Sequence, residues 1–491
     1  MKMTPLKNNI LSLACCSLIG GLSLLSSILI TPINHYINAL ILIIVAIILY
    51  LCITLGPAKR NWLDIRAVFS LVWIGTIGLA TFRLINYQEP WQNKTWVILS
   101  LAYIAFMIGS TFGMSYGADF CEKLVNKTAG KKTGSPSWFI HENRLFLICL
   151  VTTLIGLACF IANVIVKGYI PCFSESTTAY LDFYTKFHIF STAATAVSGL
   201  CFYCIRTQPL KIWKKILLGF CILYLVFLFP IMVVSRGTFI VAALSLIASV
   251  FYTCGKRFWA LVLSIILVLG VYLFTSVLRN YTNEQLSTIF QSTDITQPSD
   301  PKPSKPSKPS KPSKPGTTPS EPDVTPSEPH ESLTFELPPR VAFLYGYITV
   351  SHDNFNEAVQ NTQHYTLGVR QLSPFNFILR SDWIEQANAD AEYHLVTPNL
   401  NTTNLIGDFY YDFGWIGVLL FMLFWPFIFG IIQGIYERTK NPFTLLLLGN
   451  TLSPVVLCFF ACWMSNFTFW MFWGVAILLA FIAYIPLGSK K

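Results

Sequence analysis

Apolar runs of membrane-spanning length recur along almost the whole of this chain, and no other feature constrains its fold as strongly. A bilayer core takes roughly 20 apolar residues per helix, and about twelve runs meet that requirement. They centre on Leu18, Ile44, Ile74, Ala105, Ile155, Ala194, Leu223, Leu244, Ile266, Met422, Val456 and Trp473. A backbone in lipid must satisfy its own N–H and C=O groups, so each run predicts a helix. The 491 residues are 54% hydrophobic and only 12% charged, too few charges to coat a soluble globule of that length. The sequence therefore predicts an all-α polytopic membrane protein. It divides into an N-terminal bundle of about nine helices over 1–278, a loop over 279–404, and a bundle of about three helices over 405–491.

Basic residues alternate between the connections. Lys2 and Lys7 precede the first run, and Lys59, Arg60 and Arg66 follow the second. Lys123, Lys127, Lys131, Lys132 and Arg144 follow the fourth, and Arg206, Lys211, Lys214 and Lys215 the sixth. Lys256 and Arg257 follow the eighth, Arg438 and Lys440 the tenth, and Lys490 and Lys491 the last. The other short connections carry only Arg83, Lys94, Lys167, Lys186 and Arg236. The positive-inside rule then places both termini in the cytoplasm and the large loop on the outer face of the cytoplasmic (inner) membrane. The formal charge of +10 is accounted for by those connections and one lysine-rich tract, which gives no reason to expect nucleic acid as a partner.

Several chemistries lack their signatures. The thirteen cysteines, Cys201 and Cys204 among them, fall mostly in or beside apolar runs, where they act as small hydrophobes, and no Cys/His spacing suggests a metal. No Walker loop, dinucleotide fingerprint or HExxH is present, so neither a cofactor nor a metal is expected. Asp390 and Glu392 form a DxE pair, too common in loops to assign a metal. The N-terminus resembles a signal sequence without a small-x-small cleavage site and reads as a retained anchor helix.

The large loop has two parts. Residues 298–316 carry a Lys-Pro-Ser repeat, expected to form an extended, solvated polyproline II spacer. Residues 333–404 hold Phe335, Phe343, Tyr345, Tyr347, Phe355, Tyr365, Trp383 and Tyr393, enough aromatics for a small packed cap of helices. At its end the chain reads Asn404-Leu-Ile-Gly-Asp-Phe-Tyr-Tyr-Asp-Phe-Gly-Trp-Ile-Gly417, two carboxylates leading into an apolar helix. Carboxylates at a membrane surface cap, pair or react, so the functional site is expected here. Arg236, in Val-Val-Ser-Arg-Gly-Thr-Phe, is the second informative residue. It is either a snorkelling helix-end cation or an anion site, where the guanidinium grips phosphate oxygens and the helix N-terminus assists.

These two segments resemble the corresponding elements of the oligosaccharide repeat-unit polymerases, the Wzy-type O-antigen and capsule polymerases, over roughly Leu225 to Arg438 outside the linker. The resemblance implies a metal-independent membrane glycosyltransferase of GT-C-like architecture. It would join polyprenyl-diphosphate-linked repeat units, with a chain-length regulator and a flippase as possible partners. Arg236 is then the first candidate for the diphosphate, with Arg279, Arg340, Arg370 and Arg380 as further outer-loop cations. The incoming sugar hydroxyl needs a base. Asp408 and Asp412, spaced i and i+4, share a helical face and are weighed evenly between that role and helix capping. His352, His364 and His394 are the alternative bases. Tyr365, Tyr410 and Tyr411 are candidate sugar platforms with Trp383, while Trp415 reads as a membrane-belt anchor. An O-antigen ligase using the same donor, and a lipid-linked oligosaccharide transporter or flippase, are the competing functions.

Overall fold

The computed structural model describes residues 5–58, 60–129, 142–174, 182–254, 262, 337–389, 393–396 and 401–484. All regular structure among them is helical. The long helices are α1 Pro5–Ile30, α2 His35–Leu55, α3 Ile65–Thr81, α4 Asn93–Ala129, α5 Glu142–Lys167, α6 Lys186–Thr207, α7 Ile212–Val233 and α8 Arg236–Thr253, followed by α9 Pro339–Asn361, α10 Gly407–Thr439, α11 Pro442–Val456 and α12 Phe467–Tyr484. Nine helices among the described residues are long and apolar enough to cross a membrane; α3 and α11 are apolar but shorter. Eleven of the expected runs thus coincide with helices, and the run centred on Ile266 lies outside the described residues. The Val456 run is displaced: α11 ends there, and turns with one 3-10 turn, Trp463–Ser465, carry the chain into α12.

The longest helix contact is between α4 and α10, and small residues make it. Gly109, Gly113 and Gly117 of α4 meet Leu423, Phe427 and Ile431 of α10, while Gly430 and Gly434 return the fit against Ser110 and Met114. Numbering rises together along both helices, so they run parallel. A Cβ at Gly113 would overlap the Phe427 carbonyl oxygen, which shows how closely the backbones approach. Helix α10 therefore packs into the N-terminal bundle rather than standing beside it.

Polar contacts sort the connections to two faces. On one face Arg66 donates to both oxygens of buried Asp64, 2.9 Å from Nε and 2.6 Å from Nη2. Gln433 donates to the same carboxylate at 3.1 Å, and Asn61 reaches Glu437 of α10 at 3.1 Å. The opposite face carries the 82–92 connection, α9, the 457–466 segment and the N-termini of α8 and α10. Tyr345 of α9 donates to the Leu79 carbonyl at 2.9 Å, and Leu405 N donates to the Cys458 carbonyl at 2.7 Å. Within the second half of the large loop the described residues form α9 and three short helices, Val369–Leu372, Asn376–Leu379 and Asp382–Ala389. This loop face holds nearly all the candidate site residues.

Candidate functional site

Helix α10 begins as a separate turn. After Gly407–Asp412 the backbone breaks at Phe413, with φ −142° and ψ 15°, and Gly414, with φ 63° and ψ −154°. Only glycine reaches the second conformation without strain, and a Cβ there would lie 2.7 Å from the Tyr365 hydroxyl. The break sets the Asp408–Asp412 turn off from the apolar rod that follows. Both carboxylates, one turn apart, face Arg370.

Asp412 acts as a cap, but across the fold rather than on its own helix. Its buried carboxylate accepts from the Thr366 hydroxyl at 2.5 Å and from the backbone N–H groups of Arg370 and Gln371, each at 3.1 Å. The last two lie in the first turn of the short helix Val369–Leu372, where N–H groups have no carbonyl of their own helix to reach. Thr366 N and Leu367 N donate to the carbonyls of Tyr411 and Asp412 at 2.9 and 3.0 Å, completing the clamp. Gly368, at φ 94°, turns the chain into the capped helix. The clamp presents Arg370, 3% exposed, with its guanidinium carbon 3.8 Å from the Tyr393 ring centre and 4.1 Å from that of Tyr411. Its Nη1 lies 3.9 Å from Asp408. Asp408 also bonds Ser465, to which Gln371 donates at 2.7 Å.

Beside Arg370 opens a cleft of about 890 Å³. Its wall carries amide side chains at Gln360, Asn361 and Gln363, the imidazoles of His364 and His394, and the rings of Tyr365, Trp383 and Tyr411. Tyr365 is 42% exposed and Trp383 55%, so both offer a ring face. Tyr410 does not: it is fully buried, accepts from Lys94 at 3.0 Å and donates to the Val359 carbonyl at 3.4 Å, which makes it a packing residue. Tyr411 is nearly buried, and its hydroxyl accepts from His394 N at 3.0 Å. The exposed Trp415 is consistent with the anchor reading.

His352 stands outside this cleft. It is fully buried, with Nε2 3.0 Å from the Thr76 hydroxyl and Nδ1 3.1 Å from Asn404 Nδ2. Burial pushes its pKa down to about 3, so it is neutral and holds Asn404, which in turn accepts from Ile406 N and Gly407 N where α10 begins. Its place in the fold is to set the start of the Asp408 turn.

Arg236 opens α8 after Val234, whose φ is 57°, and Ser235, which caps Thr238 N at 3.3 Å. It is 4% exposed, and its guanidinium carbon is 5.8 Å from the rings of both Phe343 and Tyr347 of α9. The 457–466 segment links it to the Arg370 cluster. Trp463 shares a small cavity with Gly237 and Thr238, and Ser465 meets Gln371. Arg380 is exposed. Arg279 and the side chain of Arg340 lie outside the described residues, as does the Lys-Pro-Ser tract.

One residue next to His352 escaped the sequence reading. Asp353 is buried, accepts from Trp91 Nε1 at 2.8 Å and from Gln88 Nε2 at 2.9 Å, and has its pKa raised by burial to about 7. A lone Asp in Ser-His-Asp-Asn gives no local sign of this; its partners come from a connection about 260 residues earlier. Among the described residues no group of three or more His, Cys, Asp or Glu is arranged to hold a metal ion.

The fold and these contacts define an all-helical, multi-pass membrane protein with a polar cleft on its loop face. Comparisons with protein-family models, curated proteins and solved structures find no match to this chain.

Proposed function

We propose that the chain is a membrane glycosyltransferase that joins polyprenyl-diphosphate-linked oligosaccharide units into a surface polysaccharide on the outer face of the cytoplasmic membrane. The observation that carries this reading is the cleft beside Arg370. A planar cation held against two rings, two exposed aromatic faces and a row of amides together suit a diphosphate joined to sugars. Aromatic faces meet the C–H side of a pyranose, amides bond its hydroxyls, and a guanidinium grips phosphate oxygens in pairs.

In the reaction the acceptor hydroxyl oxygen bonds to the anomeric carbon of the donor while the bond from that carbon to the phosphate oxygen breaks. The polyprenyl diphosphate leaves with the bond electrons, and Arg370 and Arg236 stabilise its charge. The hydroxyl proton passes to a base. Asp408 is the best placed: its side chain is 14% exposed beside Arg370, whereas three donors already occupy the Asp412 carboxylate. His364 and His394, both on the cleft wall, are the alternatives.

The test is the lipid-linked glycan profile of cells lacking the gene or carrying Arg370→Lys or Arg236→Lys. An ammonium lacks the planar fork, so single lipid-linked repeats should accumulate at normal protein abundance. Complete long chains awaiting transfer would point to ligation instead, and normal polymer in the deletion strain would overturn the proposal.

A further inference from the structure

A second cleft, of about 350 Å³, lies beside the first. Both use the C-terminal half of α9: Gln360 and Asn361 line the first, and Asp353, Asn356 and Glu357 the second. The segment 393–396 divides them, with His394 facing one and Leu395 and Val396 the other. That divider is pinned from both sides, by His394 N to the Tyr411 hydroxyl at 3.0 Å and Val396 N to Asn354 Oδ1 at 2.9 Å.

The two walls are opposite in charge. Among the described residues that line them, the first carries Arg370 and two imidazoles and no carboxylate, and the second carries Glu89, Asp353 and Glu357 and no Lys or Arg; Arg83, outside that lining, also acts on Asp353. The second wall is also preassembled. Asp353 fixes the Trp91 indole, and Asn356 Oδ1 accepts from Gln92 N at 3.0 Å and the Thr95 hydroxyl at 2.8 Å, so the Trp91 ring and the Asn356 amide have set positions. Glu357 accepts from Asn361 at 3.0 Å and faces Glu89. Asp353, with one oxygen on Gln88 and the other on Trp91, holds the wall, which leaves Glu89 and Glu357 to meet a ligand; carboxylate oxygens there suit one rich in donors, such as sugar hydroxyls or an ammonium, and disfavour an anion.

We propose that this second cleft is a glycan subsite distinct from the cationic one, which takes a neutral or amine-bearing sugar and rejects a uronic acid. It rests on the reading of the chain as a glycan-joining enzyme, in which the cationic cleft takes the diphosphate-bearing donor and this one the acceptor sugar. Joining two glycans requires both to be bound at once, and two clefts separated by a single strand of chain meet that need.

The test uses the full-length protein in detergent and ligand-observed NMR titrations with glucosamine, glucose, glucuronate and inorganic pyrophosphate. With pyrophosphate saturating the cationic cleft, glucosamine and glucose should bind, with glucuronate at least about tenfold weaker. Glu89→Gln with Glu357→Gln should weaken glucosamine by about tenfold, the loss of one charge-assisted hydrogen bond, and leave pyrophosphate unchanged. Arg370→Lys should do the reverse. Both glutamates lie toward the surface, so the double variant should fold normally. Equal binding of glucuronate and glucosamine, unchanged glucosamine binding in the double variant, or loss of glucosamine binding in Arg370→Lys would each overturn the subsite. The two readings fail separately. Selective sugar binding with normal polymer in the deletion strain would keep the subsite and remove the polymerase; lost polymer without selective binding would do the opposite.

Discussion

Asp412 should behave as a clamp for the Arg370 segment, and replacing it should loosen that segment before it affects any chemistry. The carboxylate holds three donors, with Oδ1 taking the Thr366 hydroxyl and Arg370 N, and Oδ2 taking Gln371 N. Asp412→Ala strands the two backbone N–H groups, while the Thr366 hydroxyl keeps the Tyr411 carbonyl at 3.3 Å, at a cost of about 4 kcal/mol. Asp412→Asn keeps one acceptor oxygen but sets an amide N–H against Gln371 N, a loss of about 2 kcal/mol. At 1.4 kcal/mol per tenfold, amide exchange across residues 366–371 should quicken about a thousandfold in the alanine variant and about thirtyfold in the asparagine variant. Asp408→Asn is the comparison. Asp408 meets Arg370 only at 3.9 Å and bonds Ser465 rather than the backbone of this segment, so exchange there should change little while polymer is lost. The assay is hydrogen exchange by mass spectrometry on the intact protein in detergent, beside glycan profiles from cells. Wild-type exchange in Asp412→Asn together with failed polymerisation would refute the clamp and make Asp412 the proton acceptor.

Gly113→Ala should separate α4 from α10 and cost at least about 2 kcal/mol, since the new Cβ meets backbone rather than a movable side chain. Gly219→Ala, with nothing within 4 Å, should leave the thermal unfolding midpoint in detergent where it was, and equal midpoints for the two variants would discount the glycine contact. His352 and Asp353 should give opposing pH dependence. Folded His352, held down at about 3, contributes stability above its unfolded pKa of roughly 6.5 that is lost as pH falls. Folded Asp353, raised to about 7, binds a proton before the unfolded chain does and so gains stability as pH falls from about 7 toward roughly 4. Asp353→Asn should therefore lose stability on acidification below about pH 6.5, and His352→Gln should gain it; unfolding midpoints between pH 8 and 4 decide, and parallel slopes in the two variants would contradict both assignments. Deleting Pro301 to Pro315 should leave polymer production intact, because a solvated Lys-Pro-Ser spacer brings no packing or reacting group; loss of polymer at normal membrane abundance would show that the tract recruits or spaces something essential.

How far the sequence was legible varies by element. The apolar runs produced eleven of the twelve expected helices within the described residues, because a run of that length has one way to satisfy its backbone in lipid. Where α11 ends was less legible. Its apolar composition continues past Val456, and only the pairing of Leu405 N with the Cys458 carbonyl shows why the chain turns there. The glycines of α4 and α10 were visible as residues but not as a contact, since spacing on one helix does not name the helix that approaches it.

By itself the sequence determined the helical, membrane-spanning class and a short roll of candidates: Arg236, Arg370, the Asp408 and Asp412 pair, the histidines and the tyrosines. Tertiary structure alone decided which of them meet. It placed Arg370 against Tyr393 and Tyr411 and beside Asp408, and it turned Asp412 into a cap for a helix some forty residues earlier. It enclosed His352 and Tyr410, and it raised Asp353 from an unremarked loop residue to a buried acid held by Trp91 and Gln88. The reason is physical. Hydropathy is a local property that each segment carries with it, whereas burial, hydrogen-bond partners and protonation depend on residues hundreds of positions away, and these become neighbours only once the helices have packed.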